Sequence, residues 1–391
     1  MSNQALSGVR VLDFTNHISG PYCTKLLADF GADVIKIEKP KTGDISRSIG
    51  PFPRKEKNLN TSGLFMYLNT NKRGITLDFN DPTASKLIMQ ILKSTDIIIE
   101  SFHPGTMKKW GWDYEAIQAI KPDITYVSIS NFGQSGPYRD YKASDAIIYA
   151  MGGEMFSTGI IDREPVKLGP NIVLFQGGAA ALVGTLGAFF GAINGSSGQH
   201  VDISLMETQT GTQDRRQATV LAYHYSGIIN KRQSVGGTAT YPTGVYPCLD
   251  GYFELSGGPT RIGNIIKMMG NPKELMDPKW RNPLSQSDPV LKEEFESFFY
   301  PFVMERTKLE LWKLAQENGV LSAPLNSMED VANDQFFKEK EFFQEYNHPI
   351  AGSFIAPGKP WIMHETPWKI QRSAPQLGEH NDEIFAEFLK S

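Results

Sequence analysis

The chain has 391 residues, of which 40% are hydrophobic and 11% aromatic, and its formal net charge is −4. This length exceeds what one hydrophobic core serves, so we expect two domains. The dispersed lysines give no basic field for nucleic acid, and the first twelve residues lack the regions of a signal peptide, so we expect a cytoplasmic protein that binds neither nucleic acid nor membrane.

The first third of the chain alternates strand and helix patterns. Strand patterns occupy residues 9–14, 34–40, 74–79, 96–102 and 124–133, and helix patterns lie between them near residues 21–31, 83–93 and 114–120. This alternation predicts parallel strands covered by helices. The first strand is followed by TNHISGP rather than G-x-G-x-x-G, so a dinucleotide site is not predicted.

Residues 169–193, GPNIVLFQGGAAALVGTLGAFFGAI, have the pattern of a strand-to-helix junction. They predict a short apolar strand, a turn at Gly177 and Gly178, and then a helix of small residues. No side chain from Leu168 to Gly198 ionises at neutral pH. The small-apolar run is interrupted by glycines and falls short of the roughly 20 residues that span a bilayer, so it predicts a buried helix and not a membrane anchor.

The composition changes after about residue 206. A polar helix pattern at 219–224 leads into the Gly- and Thr-rich stretch at 236–247, and helical segments follow. We predict a large domain over 1–205, a linker over 206–237 and a small domain over 238–325. The remaining segment, 326–391, has extended and turn character before a last helix and is expected to return to the large domain.

Several predicted strand ends carry residues that suit an anionic ligand. Lys72 and Arg73 precede a strand, where paired cations can meet phosphates, and His103 follows a strand in a Pro-Gly turn. Gln134 follows another strand, and Gly257 with Gly258 predicts the hinge of an active-site lid. Solvated turns and hairpins have the same sequences, so both interpretations stay open for each segment.

Motifs for metal sites and nucleophiles are absent from the sequence. It contains no H-E-x-x-H, no C-x-x-C and no G-x-S-x-G. Cys23 and Cys248 have no adjacent base and are too few for a disulfide framework, so we predict buried structural thiols. No metal site is predicted.

Taken in order, six segments resemble the class III CoA-transferases of the CaiB/BaiF type. This family includes formyl-CoA transferase, carnitine CoA-transferase and the 2-methylacyl-CoA racemases. The segments are LSGVRVLDFTNHISGPYCTKLLADFGADVIKIEKPKTGD (6–44), NTNKRGITLDF (69–79), DIIIESFHPGTMKKWG (96–111), ISNFGQSGPY (129–138), GQHVDISLMET (198–208) and APQLGEHNDEIF (374–385). The resemblance implies an α/β fold with a Rossmann-like large domain on a parallel sheet, a smaller α+β domain and an interlocked dimer.

The resemblance also implies that the large domain binds coenzyme A or acyl-CoA as substrate, without a metal. The positions that match the family's CoA contacts are Ile18, Ser19, Lys39, Leu77, Asp78, Ser101, Phe102, His103, Lys109, Lys142 and Ala143. His103 departs from the family, in which many members carry Arg. The three lysines of this set still offer cations to the phosphates of CoA.

The same resemblance identifies a missing catalytic residue. In this family an Asp attacks the acyl-CoA thioester, and the glycines that flank it align with Gly169 and Gly178 without a gap. The aligned residue here is Leu174, which has no lone pair and cannot form an aspartyl-CoA thioester. Racemases pair this Asp with a His, and Ser144 occupies the matching His position, so the two-base proton transfer is also lost.

Three hypotheses for the function stay open at this stage. The first is the Asp-lacking subunit of a heteromer, a heterodimer or heterotetramer resembling benzylsuccinate CoA-transferase, whose homologous partner carries the Asp. The second is an acyl-CoA-binding or regulatory homodimer without transfer activity. The third is a CoA-thioester isomerase or lyase that uses another group such as Glu154, although Glu154 also fits a salt-bridged loop residue.

Overall fold

The computed structural model describes residues 4–211, 216–232 and 241–389. The strands in these ranges are β1 Arg10–Phe14, β2 Asp33–Glu38, β3 Arg73–Thr76, β4 Ile97–Glu100, β5 Thr125–Ser130, β6 Gln199–Ser204, β7 Thr243–Cys248, β8 Gly251–Ser256, β9 Leu321–Pro324, β10 Phe343–His348 and β11 Gly352–Pro357. The helices are α1 Ser19–Asp29, α2 Gly63–Leu68, α3 Pro82–Leu92, α4 Thr106–Lys109, α5 Tyr114–Gln118, α6 Asp145–Met151, α7 Glu154–Ser157, α8 Ile172–Ile193, α9 Leu205–Gly211, α10 Arg216–Ser226, α11 Ile262–Met268, α12 Pro289–Met304, α13 Lys308–Glu317, α14 Met328–Asn333, α15 Gln335–Glu339 and α16 Asn381–Leu389.

Contacts divide the described residues into two compact units. Within the described residues, unit 1 comprises 4–156, 166–211, 216–230 and 341–389, and unit 2 comprises 157–165, 231–232 and 241–340. The domain limits at residues 205, 237 and 325 stay a prediction. Residues 212–215 and 233–240, which belong to the predicted linker and to the start of the predicted small domain, lie outside the described residues.

Unit 1 is built on a six-stranded sheet in the order β3-β2-β1-β4-β5-β6, and every neighbouring pair is parallel. The predicted α/β class is therefore confirmed. The chain runs outward in one direction from β1 and in the other from β4, so the carboxyl ends of β1 and β4 flank the point where the strand order reverses. Open α/β sheets bind ligands in the crevice at this point, because the connecting loops diverge there.

Alternation along the strands gives the sheet two apolar faces. Leu12, Ile35 and Ile98 pack with α3 and α16 on one face, whereas their neighbours in sequence pack with α1 and α8 on the other. Side chains with a period of two on strands buried on both sides explain the near-continuous apolar runs in the sequence.

The predicted strand and Gly-Gly turn within residues 169–193 are wrong. Ile172–Ile193 is one helix, α8, and both glycines lie inside it. A β-carbon at Gly178 would lie 2.5 Å from the carbonyl oxygen of Ser19, and one at Gly177 would lie 2.2 Å from a methyl carbon of Leu205. The glycines therefore allow α8 to pack closely on its neighbours and do not form a turn.

Within the described residues, α8 is the one helix long and apolar enough to cross a membrane. It connects the neighbouring parallel strands β5 and β6 and packs against α1, so it is the crossover helix of this sheet. The prediction of a buried helix holds for one face only. Val183, Phe190 and Ile193 on its remaining surface are 63–72% exposed.

The C-terminal segment lies along the edge strand β3. The amide N–H of His380 donates to the carbonyl oxygen of Gly74 at 2.9 Å, and the amide N–H of Thr76 donates to the side chain of Asn381 at 2.9 Å. The amide N–H of Asn71 donates to the carbonyl oxygen of Arg372. These contacts cover the outer edge of the sheet, which would otherwise offer unpaired backbone groups.

Unit 2 contains the antiparallel sheet β7-β8-β9. Its core is rich in aromatic side chains, and Phe253, Trp280, Phe295 and Phe299 are fully buried. Gly257 and Gly258 follow β8 directly, and Gly258 has a φ of +82°, which favours glycine.

Candidate functional site

The first cavity of unit 1 lies at the strand-order reversal and has a volume of about 440 Å³. We call it the Leu174 cavity. It is lined by residues 16–19 after β1, 101–104 after β4, 129–131 at the end of β5, and Arg139, Tyr141, Lys142, Ala143, Leu174 and Leu205. The loops at the carboxyl ends of three strands and the first turn of α8 therefore meet in one pocket.

A second cavity of about 530 Å³ lies beside the first, and we call it the Lys39 cavity. Its walls come from residues 14–16, 37–41, 43–44 and 77–80, with Phe102 and Trp110. Asn16 and Phe102 line both cavities. The Phe79, Phe102 and Trp110 rings contact one another with centroids 4.5–6.2 Å apart, which gives this cavity an aromatic wall.

Most residues of the predicted CoA set line one of the two cavities. Those in the Leu174 cavity are Ile18, Ser19, Ser101, Phe102, His103, Lys142 and Ala143. Lys39, Leu77 and Asp78 line the Lys39 cavity, which Phe102 also lines. Lys109 lies exposed at the end of α4 and lines neither. The binding of CoA by these residues, and the lid role of Gly257 and Gly258, stay predictions.

Leu174 lies in the first turn of α8, and this turn is held by Asp145. The carboxylate of Asp145 accepts hydrogen bonds from the amide N–H groups of Asn171 at 3.2 Å and Val173 at 3.0 Å. It also forms an ion pair with Lys167 at 2.8 Å. A carboxylate at a helix N-terminus satisfies amide donors that have no partner within the helix. The backbone of Leu174 is therefore anchored at the wall of the cavity.

None of the described side chains that line the Leu174 cavity is a carboxylate. Its titratable members are His17, His103, Arg139, Tyr141 and Lys142. Burial lowers the pKa of His17, although Asp44 and Asp145 oppose this shift. Glu154 is buried in α7 and lines neither this cavity nor the Lys39 cavity. Ser144 is exposed before α6.

The loop after β1 is held in place by contacts with two buried charged side chains. His17 has a φ of 72°, and its amide N–H donates to Asp44 at 3.0 Å. Lys36 pairs with Asp44 at 2.9 Å and donates to the carbonyl oxygen of Thr15 at 3.0 Å. Burial alone would raise the pKa of Asp44, but Lys36 and the hydrogen bonds of Ser46 lower it. The loop that contributes to both cavity walls is therefore held by buried hydrogen bonds and an ion pair.

Lys72 and Arg73 do not form a phosphate site. Lys72 is fully buried, and its ammonium donates to Asp13 at 3.1 Å and to Thr24 at 2.7 Å. Burial lowers the pKa of Lys72 to about 8, opposed by Asp13. Arg73 is paired with Asp33, Glu383 and Glu387 at 2.6–3.0 Å. Both cations therefore belong to internal ion pairs, and neither is a solvated turn residue.

Sequence reasoning missed a third cavity of about 290 Å³, which shares His103 and Arg139 with the Leu174 cavity. Glu100, Ser128 and His200 lie on three neighbouring strands, and the Ser128 hydroxyl and His200 Nε2 are 2.9 Å apart. Burial raises the pKa of Glu100 to about 7. The sequence did contain a signal for this cluster, because Glu100 ends the apolar run IIIE. A polar side chain at the end of a buried strand needs a polar partner.

The described residues contain two buried cysteines and no metal-ligating cluster. Cys23 and Cys248 are free and buried, as predicted. Burial raises the pKa of Cys23 to about 12, which makes it a poor nucleophile. No group of three or more metal-ligating side chains occurs among residues 4–211, 216–232 and 241–389.

Comparison with known proteins agrees with this architecture. The sequence model of CoA-transferase family III matches residues 6–381. The chain is 31% identical to formyl-CoA:oxalate CoA-transferase of Afipia carboxidovorans, covering 99% of this chain and 94% of the relative. It is 30% identical to succinyl-CoA–D-citramalate CoA-transferase of Chloroflexus aurantiacus, covering 98% and 94%.

The chain is also similar to a third relative and to a solved structure. Succinate–glutarate CoA-transferase of Agrobacterium fabrum is 29% identical over 98% of this chain and 95% of its own length. The crystal structure of a CaiB/BaiF family protein from Brucella suis superposes with a TM-score of 0.86 at 27% identity, covering 99% of this chain and 100% of that one.

Proposed function

Because this chain belongs to CoA-transferase family III, we propose that it is the subunit of a heteromeric CoA-transferase that lacks the nucleophilic carboxylate. The enzyme would move CoA between an acyl-CoA donor such as succinyl-CoA and a carboxylic acid. The observation that carries the proposal is the Leu174 cavity, in which an aliphatic side chain occupies the first turn of α8 and none of the described lining residues is a carboxylate.

The two cavities support a binding role for CoA. The Lys39 cavity combines Lys39 and Lys41 with the aromatic wall of Phe79, Phe102 and Trp110, which suits the phosphates and the adenine ring. The Leu174 cavity would then receive the acyl end. Asn16 and Phe102 line both cavities, so one extended ligand can occupy them together.

The missing carboxylate matters because it is the centre of the covalent scheme. In this family the carboxylate attacks the thioester carbonyl, CoA thiolate leaves, and the thiolate then attacks the resulting anhydride. The side chains lining the Leu174 cavity on this chain provide imidazole, guanidinium, phenol and ammonium groups but no carboxylate for the first step. A second subunit that carries the Asp would supply the step.

The surface of unit 1 supports an assembly. Val183, Phe190 and Ile193 on α8 are 63–72% exposed, and Leu221 and Tyr225 on α10 are 60% and 89% exposed. Exposed apolar side chains on two helices of one unit are typical of a protein interface. We therefore propose a homologous, Asp-bearing partner on this surface, in an interlocked arrangement.

The names of relatives support the substrate class. Two of them use succinyl-CoA or succinate with a dicarboxylic acid, according to their names. We propose that this enzyme also handles dicarboxylic acids. The third hypothesis, chemistry by Glu154, has no support in the geometry, because that side chain lines neither cavity.

Purification tests the proposal. The tagged chain is expressed in its source cell, and the mass of what co-purifies is measured. We expect a homologous chain with Asp at the position of Leu174, CoA transfer from succinyl-CoA by the pair, and no transfer by this chain alone. Robust transfer by the isolated wild-type chain would overturn the proposal.

A further inference from the structure

Two serine hydroxyls beside the Leu174 cavity are buried without a hydrogen-bond partner among the described residues. They belong to Ser19, which is 6% exposed, and Ser130, which is 8% exposed, and both residues line the cavity. A buried hydroxyl without a partner carries a desolvation cost that a hydrogen bond would remove. Two such groups in one cavity wall need an explanation.

The two hydroxyls belong to the buried part of the cavity wall. Ser130 is the last residue of β5, and Ser19 is the first residue of α1, with its Oγ 3.8 Å from where a β-carbon on Gly177 of α8 would be. Ile129 and Leu205 are also buried and line the same region. The surroundings of the two hydroxyls are therefore largely apolar.

The outer part of the cavity has a different character. Arg139 is half-buried, His103, Tyr141 and Lys142 are exposed, and Arg139 and Lys142 are cationic. A ligand that enters past these side chains meets charge first and the two hydroxyls last. The two buried hydroxyls would therefore meet the end of an acyl chain rather than the phosphates of CoA.

A neighbouring serine shows that an unpaired hydroxyl is not a general feature of these strand ends. Ser204 is the last residue of β6 and lies in register with Ser130. It is 4% exposed, but its Oγ accepts the amide N–H of Glu207 at 3.2 Å, and it does not line the cavity. Ser130 differs from it in lining the cavity and in having no hydrogen-bond partner among the described residues.

From these contacts we infer that Ser130, with Ser19, selects an acyl group that carries an oxygen substituent, either a hydroxyl or a second carboxylate, over a plain hydrocarbon chain. A serine reaches such an oxygen by rotating its χ1 among staggered positions. Each hydroxyl can donate to a carboxylate, and can both donate to and accept from a hydroxyl. This inference rests on the proposed function, because it assumes that the cavity receives the acyl end of acyl-CoA.

Three thioesters of equal chain length test the inference on the full chain in the assembly in which it purifies. Butyryl-CoA has no oxygen on the chain, 3-hydroxybutyryl-CoA has a hydroxyl and succinyl-CoA has a carboxylate. We expect one or both oxygenated thioesters to bind at least about fivefold more tightly than butyryl-CoA, which corresponds to one net hydrogen bond. For each oxygenated thioester, the ratio of the butyryl-CoA Kd to its own Kd measures the preference. The thioester with the larger ratio identifies which oxygen group the serines bind.

Substitution of the two serines tests whether their hydroxyls cause the preference for oxygenated thioesters. Ser130→Ala should reduce the ratio toward one while leaving the Kd for butyryl-CoA within about twofold. Ser19→Ala should also reduce the ratio, and Ser130→Thr should retain it. Ser204→Ala is the matched control and should keep the ratio of the wild type. Thermal unfolding of each variant confirms that it is folded.

The outcomes separate this inference from the proposed function. Binding of free CoA and all three thioesters with equal affinity, or a preference that survives both alanine variants, would overturn the inference alone. No binding of CoA or any thioester by the wild type would overturn the proposed CoA site, and the inference with it.

Discussion

The amide N–H of His17 donates to a carboxylate oxygen of Asp44 at 3.0 Å, and this contact joins the two cavities of unit 1. His17 lines the Leu174 cavity, whereas Asp44 lines the Lys39 cavity. Asp44 is itself paired with Lys36, and both side chains are buried. A change in this pair therefore acts on the walls of both cavities.

We expect Asp44→Asn to lower the free energy of unfolding by about 3–5 kcal/mol, because it removes the negative charge that pairs with the buried ammonium of Lys36. Urea unfolding measures this loss. The control is Glu294→Gln, which breaks the exposed pair between Lys279 and Glu294 and should cost less than about 1 kcal/mol. Equal losses in the two variants would contradict the structural role of the buried pair.

Leu174→Asp should restore a carboxylate at the cavity wall. We expect a small fraction of this variant to form a covalent thioester with CoA when it is incubated with succinyl-CoA, since the nucleophile of the covalent scheme is then present. Intact-mass measurement detects the adduct, and hydroxylamine removes it. Leu174→Asn has the same shape without the charge and should give no adduct; an adduct on the wild type would show that another side chain is the nucleophile.

Gly178→Ala should destabilise the chain because the new β-carbon would lie 2.5 Å from the carbonyl oxygen of Ser19. Overpacking of this kind costs about 1–3 kcal/mol. Gly263 in α11 is a suitable control, since nothing lies within 4 Å of its added β-carbon. Gly263→Ala should be neutral or slightly stabilising in the same thermal unfolding experiment. A harmless Gly178→Ala would mean that α8 packs less closely than described.

The stability of the chain should depend on the titration of Glu100. Burial raises the pKa of this carboxyl to about 7 from its ordinary 4.5, with a contribution from Asp202 and opposition from Ser128 and the Phe102 amide. Between these two pH values the folded chain holds a proton that the unfolded chain has released, so the free energy of unfolding falls as the pH rises.

Glu100→Gln isolates this effect, because the amide cannot titrate. We expect the Tm of the wild type, relative to that of the variant, to decrease as the pH is raised from about 4.5 to 7. A difference between the two Tm values that does not change over this range would show that folding does not raise the pKa of Glu100.

The sheet could be predicted from the sequence because its strands are buried on both faces and are separated by helices of ordinary length. Residues 9–14 contain β1, residues 34–40 overlap β2, and the predicted helix between them overlaps α1. The pattern of residues 169–193 was misleading because Gly177 and Gly178 resemble a turn locally. Their actual role depends on Ser19 and Leu205, which are distant in sequence.

The candidate site was predictable where residues follow the ends of strands. His103 and Lys142 line the cavity at the strand-order reversal, as expected for loops of a parallel sheet. Lys72 was harder to interpret, since its partner Asp13 lies 59 residues earlier in the chain. The cavity of Glu100, Ser128 and His200 also forms across three strands, and a single polar residue in each strand pattern does not reveal which others it will meet.

The long return of the chain to β3 has a consequence for synthesis. Gly74 and Thr76 receive hydrogen-bonding partners from His380 and Asn381, which are translated about three hundred residues later. The early strands therefore leave the ribosome with their outer edge unprotected, and that edge is covered only after residues 372–381 have also been synthesised. The sheet of unit 1 should therefore gain its full protease resistance late in synthesis, once the segment that covers β3 has emerged.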